Sequence, residues 1–400
     1  MIEIVKKEDC CGCKGCSQIC PKQCISMYED VEGFLYPKVD KEACIDCHLC
    51  EKVCPVLHQG EPRKTQRVYA AKNMDDEIRV ASSSGGVFTL LAELVIESGG
   101  VVFGARFNDR WEVIHDYTET KEGLTVFRGS KYVQSYIGDC FGIAKTFLES
   151  GRKVLFSGTP CQIAGLKLFL RKEYANLLTV DFICHGVPSP KIWRMYLNET
   201  ISRQCEKFHS SDGKGILIED VSFRNKCSGW KKFSFTLTFS RFKGNGLKKS
   251  ISLSEVFKKN IFMKGFLSNL YLRPSCYSCP SKGFKSGSDV TLGDFWGSEK
   301  ILPFFDDDLG ISVVMVNSNN GNFYMENVRD RLALYQVRTE DVLCHNSCLV
   351  ESVVPHINRH DFFSDYEKGV LVAMGKQFKQ SFVHNVIFKI VSTSKRIIGK

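Results

Sequence analysis

The chain has 400 residues, of which 43% are hydrophobic and 25% charged, a composition that fits a globular protein and excludes a disordered or fibrous one. Its 54 Lys and Arg residues exceed its 45 Asp and Glu residues, for a net charge of +9. No basic and aromatic recognition motif accompanies this charge, so we expect no nucleic-acid partner. The N-terminal segment lacks the apolar region of a signal peptide, and no apolar run is long enough to span a membrane, so we expect a cytoplasmic protein.

Cysteines are concentrated at the N-terminus, where ten of the 19 lie within the first 54 residues. Two runs share the spacing C-x2-C-x2-C-x3-C-P and are displaced by 34 residues. In this ferredoxin-type run, three cysteines bind one [4Fe-4S] cluster and the fourth binds the other. We therefore predict cluster one on Cys10, Cys13, Cys16 and Cys54, and cluster two on Cys44, Cys47, Cys50 and Cys20. Zinc fits two identical four-cysteine runs poorly, and Cys11 and Cys24 are left as extra thiols.

A polar segment at 58–67 predicts a linker to a larger body. In the body, apolar runs predict strands at 68–71, 101–103, 154–156 and 177–183, and helices at 87–97, 138–150 and 161–172. The alternation of strand and helix indicates parallel strands joined by crossover helices. Alternating aromatic residues from 233 to 239, with a turn at 244–246, predict an antiparallel hairpin. A further strand is predicted at 311–316.

Two turns before helices contain residues of interest. The loop Ser84, Gly85 and Gly86 precedes the helix at 87–97, where it can be a phosphate cradle or an ordinary N-cap, and the residues alone favour the N-cap. In the second turn, Thr159 is the expected N-cap of the helix after strand 154–156, with a proline at the first helical position.

Cys161 and Cys184 each follow a predicted parallel strand, so both should lie at the same edge of the sheet, where α/β folds bind ligands. With Cys276 and Cys279 they can hold a third [4Fe-4S] cluster. Alternatively, the first two cysteines are small core residues, and the second pair forms a zinc site with Cys344 and Cys348. The spacing alone leaves these alternatives equal.

The last 25 residues, from Lys376, contain six Lys or Arg and no acidic residue. If this segment is helical, its apolar side chains lie on one face of the helix. A basic amphipathic helix of this kind fits the inner membrane surface, a partner protein or the body itself. The segment 376–400 is therefore a candidate for peripheral membrane binding or partner docking.

Five ordered motifs resemble the coenzyme F420 hydrogenase/dehydrogenase beta-subunit family, in its bacterial form with a fused two-cluster ferredoxin domain. They are SGGV at 84–87, GSKYVQS at 129–135, SGTPCQ at 157–162, CHGVP at 184–188 and TLGDFWG at 291–297. The resemblance covers roughly residues 1–320. It implies FAD in a site without a Rossmann motif, next to an iron–sulfur cluster, and it favours the third cluster and the phosphate cradle. The cofactor-binding residues that it indicates are Ser84, Gly85, Gly86, Lys131, Ser135, Gly158 and Thr159.

We expect a small ferredoxin-like domain fused to a larger α/β body that binds flavin and contains a mixed sheet. The fold class of the whole chain is then α/β, or α+β when the head is included. We expect the ferredoxin-type domain at 1–60, the two parts of the family body at 66–145 and 146–320, and an extension at 321–400. The leading hypothesis is an oxidoreductase that passes electrons between the head clusters and FAD and exchanges hydride with an organic substrate or a deazaflavin-type carrier. The alternative is an electron-transfer subunit without its own substrate, for a partner enzyme such as one of cell-surface polysaccharide synthesis. Either hypothesis requires a redox partner protein or a small electron carrier.

Overall fold

The computed structural model describes residues 1–207, 216–242 and 248–378. The strands in chain order are β1 (Ile25–Glu29), β2 (Leu35–Val39), β3 (Arg67–Asn73), β4 (Val101–Phe107), β5 (Val113–Thr118), β6 (Val154–Gly158), β7 (Leu177–Phe182), β8 (Ile216–Asn225), β9 (Ser234–Phe242), β10 (Lys248–Val256), β11 (Val290–Asp294), β12 (Ser312–Val316) and β13 (Leu332–Gln336).

The α-helices in chain order are α1 (Gly15–Ile19), α2 (Leu49–Lys52), α3 (Asp76–Ala81), α4 (Val87–Glu97), α5 (Cys140–Glu149), α6 (Pro160–Leu170), α7 (Pro190–Lys207), α8 (Ile261–Leu267), α9 (Ser298–Ile301), α10 (Asn319–Asn327), α11 (Thr339–Leu343) and α12 (Arg359–Asp365). Short 3-10 helices occur at Lys7–Asp9, Glu122–Phe127, Pro274–Ser278, Pro303–Phe305, Arg329–Arg331, Ser347–Leu349 and Tyr366–Lys368.

The ferredoxin-like head repeats its backbone as well as its cysteines. Lys14 before α1 and His48 before α2 are both left-handed, with φ of 61° and 57°. Gly12 and Asp46, also 34 positions apart, are left-handed too, with φ of 74° and 49°. The strands β1 and β2 pair antiparallel between the two halves. The internal duplication predicted from the cysteine spacing is therefore present in the conformation.

An eight-stranded mixed sheet forms the body, in the order β13-β3-β12-β11-β7-β6-β4-β5. Its centre is parallel, since β11, β7, β6 and β4 pair in the same direction. The flanking strands β12, β3, β13 and β5 pair antiparallel. Parallel central strands end at one edge, which places the turns after β6, β7 and β11 beside one another.

The central strands are apolar on both faces because helices cover both faces. On one face, Val102, Leu155 and Leu178 pack in a cluster with Leu90 and Leu91 of α4. The other face packs in a second cluster with α5 and α6, joined by Cys11 and Cys13 of the head, so the head and the body share one core.

A separate antiparallel sheet, in the order β10-β9-β8, lies over an aromatic core. Phe223, Phe235 and Leu237 are buried there against Trp193 of α7 and Phe262 of α8. The alternation of aromatic and polar residues along β9 reflects this one buried face, as expected for an antiparallel strand.

Most elements predicted from the sequence are confirmed. Helix 87–97 has the expected bounds, and the other predicted strands and helices lie within a few residues of theirs. The hairpin is confirmed as β9 and β10, but its expected turn at 244–246 lies outside the described residues. The amphipathic helix was predicted at 376–400, and residues 379–400 of it also lie outside the described residues.

The region after residue 320, expected to be an extension, contributes β13 to the main sheet. In the part of the chain that the structure describes, no helix is long and apolar enough to cross a bilayer.

Candidate iron–sulfur and cofactor site

The thiols predicted to bind cluster one are gathered in the head around α1. Burial raises the pKa of Cys16 to about 12, and the neighbouring thiols of Cys10, Cys54 and Cys50 add to this shift. Cys13 lies against the body, where a methyl group on Gly165 of α6 would meet its Sγ at 3.0 Å. The predicted ligands of cluster one thus lie at the junction of head and body.

The thiols predicted to bind cluster two surround a small cavity away from the body. Its wall includes Cys20, Cys44, Cys47 and Cys50, together with Cys24. The Sγ atom of Cys24 lies 3.4 Å from that of Cys20, so a fifth thiol stands at this position. Cys47 is exposed, which makes this the solvent-facing half of the head.

The four cysteines of the predicted third cluster converge at the carboxyl edge of the main sheet. Cys161 lies in the first turn of α6 after β6, and Cys184 follows β7. Burial raises the pKa of Cys184 well above its ordinary value, and the thiols of Cys276, Cys161 and Cys279 add to this shift. The backbone N–H of Val187 donates to Cys276 Sγ at 3.4 Å. The structure therefore brings together four cysteines that are up to 118 positions apart, from Cys161 to Cys279.

The zinc alternative requires Cys344 and Cys348 to join Cys276 and Cys279 at one ion, and it stays a prediction. Cys344 is exposed. The Sγ atom of Cys348 lies 3.6 Å from Nδ1 of His185. Cys279 lies beside Cys161, and burial raises the pKa of Cys279 to about 11. Among the described residues, no three His, Cys, Asp or Glu side chains are arranged to hold a single metal ion.

A cavity of about 840 Å³ opens beside the four-cysteine group, within the range of about 300–1,000 Å³ typical of ligand sites. Cys184 lies in its wall. The other wall residues include Ser84, Gly86, Lys131, Ser135, Gly158 and Thr159, all of which the sequence resemblance indicated. This cavity is where a cofactor can contact the third group of cysteines.

The loop before α4 is fixed by the sheet beneath it. Ser84 Oγ donates to the Ile311 carbonyl at 2.7 Å, and the Gly85 N–H donates to Ser312 Oγ at 2.9 Å. A Cβ at Gly85 would lie 2.2 Å from the Ala71 carbonyl, so only glycine allows this close approach. Gly85 therefore supports the loop from below, while Ser84 and Gly86 reach the cavity.

The turn before α6 forms a second wall of the cavity. The Thr159 N–H donates to Gln162 Oε1 at 2.9 Å, which closes a capping interaction at the start of the helix. Gln162 Nε2 in turn donates to Ser135 Oγ at 2.9 Å. The N-termini of α4 and α6 thus both open toward the cavity, and such termini favour anionic groups.

Lys131 lies on a loop between these two helices. Its Nζ donates to the carbonyls of Arg128 and Gly129 at 3.0 and 3.1 Å. Desolvation lowers its pKa to about 7. The lysine can therefore carry a positive charge or release a proton near neutral pH.

Sequence reasoning missed the charged pair of Arg224 and Asp294 in the cavity wall. Arg224 donates to both carboxylate oxygens, at 2.7 and 3.1 Å, and its Nε has no partner in the described residues. Nearby, Lys226 donates to the carbonyls of Arg79, Ser84 and Leu309, and desolvation lowers its pKa to about 7. Arg224 lies outside the five motifs, whereas Asp294 lies within TLGDFWG, where nothing in the sequence indicated its pairing with Arg224.

Two further buried titratable residues in the wall were missed. His115 Nε2 donates to the Ser157 carbonyl at 3.0 Å, and its Nδ1 has no partner in the described residues. Burial lowers its pKa to about 4. Asp181, at the end of β7, accepts from Thr291 Oγ1 at 2.5 Å, and burial raises its pKa to about 6. Asp181 lies in a mainly apolar strand and His115 in a strand of mixed polarity, and neither belongs to a motif that marks it as a site residue.

Two family models match separate parts of the chain. Residues 151–341 match the family model for the C terminus of the coenzyme F420 hydrogenase/dehydrogenase beta subunit, and residues 9–57 match that of the 4Fe-4S dicluster domain. A solved chain from the xenon-derivatised F420-reducing [NiFe] hydrogenase complex of Methanosarcina barkeri is 15% identical, with a TM-score of 0.43, over 80% of this chain and 92% of that chain. No curated protein matches the chain.

Proposed function

We propose that this chain, whose residues 151–341 match the C-terminal model of the coenzyme F420 hydrogenase/dehydrogenase beta subunit, is an iron–sulfur flavoprotein oxidoreductase of that family. Its residues 9–57 form a 4Fe-4S dicluster domain with an electron-transfer role. In our proposal the chain passes electrons between this head and FAD, by way of a third cluster, and exchanges hydride with an organic substrate or a deazaflavin-type carrier.

One observation carries the proposal: the cavity of about 840 Å³ and the group of four cysteines share a wall at Cys184. Cys161 of the same group contacts the head core beside Cys11 and Cys13. The head, the four cysteines and the cavity therefore follow one another through the molecule. This order supports an electron path with a cofactor at its inner end.

The cavity has the donors that a flavin dinucleotide requires. The N-termini of α4 and α6 and the Lys131 ammonium would hold the pyrophosphate. Two buried polar atoms of its wall have no partner in the described residues, His115 Nδ1 and Arg224 Nε, and both suit a polar ring or ribose group. A bound flavin supplies two-electron hydride exchange and one-electron exchange with iron–sulfur clusters.

The four cysteines at the sheet edge have the chemistry of a [4Fe-4S] site, which takes four thiolates. Cys161, Cys184, Cys276 and Cys279 would hold it. The Lys282 ammonium donates to the Cys184 carbonyl at 2.5 Å and so places a positive charge beside the expected thiolates. The ordinary protonated thiols must lose their protons when iron binds, which this charge favours.

Asp181 is the residue that we assign to proton movement at this site. Asp181 lies in the wall of the cavity and also in that of a smaller pocket whose lining includes Ser288 and Asn317. Thr291 Oγ1 donates to its Oδ1, which holds the carboxyl group in place. With a pKa of about 6 the group can accept or release a proton near neutral pH.

Cofactor content per chain tests the proposal. The protein is purified under strictly anaerobic conditions, and iron, acid-labile sulfide and released flavin are measured together. We expect about twelve iron atoms, as three [4Fe-4S] clusters require, and one FAD. About eight iron atoms with FAD would remove the third cluster from the proposal. Eight iron atoms without flavin, even after reconstitution, would favour the electron-transfer subunit that has no substrate of its own.

A matched pair of variants tests whether the flavin occupies this cavity. Lys131→Met removes a wall ammonium and should weaken FAD binding about tenfold without changing the iron content. Lys145→Met removes a lysine that lies outside the cavity lining and pairs with Glu149 on α5, so it should leave both cofactors unchanged. Equal FAD affinity in the two variants would contradict the proposed site.

The remaining assignments concern partners and boundaries. We propose a head at 1–60, the two parts of the body at 66–145 and 146–320, and an extension at 321–400 whose strand β13 joins the main sheet. A redox protein or a small electron carrier would act at the head, and the basic segment 376–400 would dock on a partner or an anionic membrane surface. Recovery of the protein in the high-speed supernatant at low salt would contradict the membrane assignment, and unchanged co-purification with a partner after truncation at residue 378 would contradict the docking role.

A further inference from the structure

Arg273 is a buried arginine at the junction of head and body that the proposed electron path does not explain. Its side chain comes from the body, directly before the 3-10 helix Pro274–Ser278, and is 1% exposed. The Nε donates to the Cys10 carbonyl at 2.6 Å, and one terminal nitrogen donates to the Leu35 carbonyl at 2.9 Å and to Cys10 Sγ at 3.4 Å. The other terminal nitrogen donates to Gln134 Oε1 at 2.9 Å.

None of these acceptors is a carboxylate. Two head carboxylates in the vicinity are already paired with other cations, Asp30 with Lys7 at 2.6 Å and Glu32 with Arg359 at 2.5 Å. A buried charge without a counter-charge is strongly destabilising. The guanidinium instead donates to both the carbonyl oxygen and the Sγ atom of Cys10, the residue predicted to bind cluster one. The natural counter-charge for Arg273 is therefore the thiolate and cluster that Cys10 holds.

The Arg273 guanidinium also lies against two aromatic rings of the head. It lies 4.5 Å from the ring centroid of Tyr36 and 5.4 Å from that of Phe34, both buried in the head. Stacking on rings and a planar set of donors are properties of arginine that lysine lacks. The head is thus built to receive this side chain.

Comparison of the two repeats of the head shows that only the first repeat leaves room for the Arg273 side chain. Gly12 and its counterpart Asp46 are both left-handed, so a residue with a side chain is tolerated in this conformation. At Gly12, however, a Cβ would lie 2.8 Å from the Arg273 guanidinium and 2.7 Å from Gln134 Nε2. The neighbouring positions differ in the same way, since Cys11 is buried against the body and its counterpart Ile45 is 58% exposed.

The same arginine also begins the segment that carries two of the third-cluster cysteines. It is the N-cap of Pro274–Ser278, and its carbonyl accepts from the Cys276 N–H at 2.9 Å. A single residue therefore contacts the cluster-one ligand Cys10 through its side chain and the candidate ligand Cys276 through its backbone.

We propose that Arg273 is a positioning residue that fixes the cluster-one half of the head against the body and stabilises the reduced form of cluster one by its uncompensated positive charge. Reduction by an external donor adds one electron, and hence one negative charge, to a cluster held by four thiolates. A cation in hydrogen-bond contact with one of these thiolates favours the more negative state. The proposal rests on the dicluster domain and not on the flavin or the third cluster, so it can fail independently of the proposed function.

The test is a redox titration of the full-length, anaerobically purified protein with dithionite, monitored by electron paramagnetic resonance. In Arg273→Gln, the reduced-to-oxidised ratio of one head cluster at a fixed solution potential should fall at least about tenfold, which is about 59 mV for a one-electron couple. The other head cluster should change much less. Arg273→Lys keeps the charge without the planar donors and should restore most of the ratio.

Arg194→Gln is the matched control, because Arg194 also joins the body to the head but pairs with the Glu29 carboxylate at 2.7 Å. It should leave both head clusters unchanged. If Arg273→Gln loses iron, Gly12→Ala replaces it, because the added methyl displaces the guanidinium while the charge and all thiols remain. Gly12→Ala should then lower the same ratio. The variant that is measured must keep the wild-type iron content. If the reduced-to-oxidised ratio of its head clusters is then unchanged, or changes equally in both clusters, the proposal is overturned.

Discussion

Arg224 and Asp294 form a two-point ion pair between the second sheet and the end of β11, at the wall of the large cavity. The arginine side chain is 3% exposed, and its guanidinium lies 4.2 Å from the ring centroid of Phe233. It also donates to the Ser83 carbonyl at 3.2 Å, at the loop before α4. One pair thus connects the small sheet, the main sheet and the loop that we assign to the cofactor.

Removing one member of this pair should be strongly destabilising. Arg224→Met leaves the Asp294 carboxylate without its main counter-charge, and we expect a loss of about 3–5 kcal/mol in the free energy of unfolding. Urea unfolding followed by circular dichroism measures this change. Glu326→Gln breaks the exposed pair with Arg67 and should cost less than about 1 kcal/mol. Similar losses in the two variants would contradict the role given to the buried pair.

Cys161→Ser tests the third cluster. If this thiol is a ligand, the iron content should fall from about twelve to about eight atoms per chain, while the spectroscopic signals of the two head clusters persist. Cys227→Ser serves as the control, because Cys227 is exposed and lies outside the four-cysteine group. An unchanged iron content and flavin reduction in Cys161→Ser would show that Cys161 is a core residue.

Cys47→Ser tests the division of the head into two unequal halves. Cys47 is exposed and belongs to the half that faces away from the body, so the variant should lose cluster two only. The proposed FAD and the proposed third cluster should remain. Iron analysis together with flavin release measures both effects, and loss of flavin along with the iron would indicate that the head and body depend on each other for folding.

Asp181→Asn should change the pH dependence of stability. Burial raises the pKa of the Asp181 carboxyl group in the folded chain to about 6, so the folded state holds a proton that the unfolded state releases near pH 4. The wild-type protein therefore loses stability as the pH rises from about 4 to about 6. The asparagine variant should be more stable by up to about 3 kcal/mol at pH 8, with the difference vanishing near pH 4.

Thermal unfolding at several pH values measures this difference. Asp109→Asn, at an exposed position, provides the control and should follow the wild-type protein at every pH. A constant offset between Asp181→Asn and wild type across the pH range would mean that the carboxyl group does not titrate as described.

The sequence predicts the parts of this protein that depend on short-range patterns. The cysteine spacing of the head needs only local backbone turns, and the burial of β6 and β7 on both faces produces continuous apolar runs. Helix α6 was predictable because Thr159 and Pro160 are adjacent start signals. In each case the residues that decide the structure are neighbours in the chain.

Residues paired across long separations were not predictable in the same way. Arg224 and Asp294 are 70 positions apart, and Arg273 and Cys10 are 263 apart. Nothing near Arg224 or Arg273 distinguishes it from a surface arginine, because its burial depends on which elements the fold brings over it. The site residues missed from sequence, His115 and Asp181 among them, share this dependence on tertiary packing.

The position of β3 bears on how the chain is made. This first strand of the main sheet lies between β12 and β13, the last two. The ribosome must therefore synthesise the chain to Gln336 before β3 gains its second neighbour, roughly 15–55 s after residue 57 at about 5–20 residues per second. All eight cysteines of the two head clusters are synthesised before that interval begins, so iron loading of the head can precede closure of the sheet.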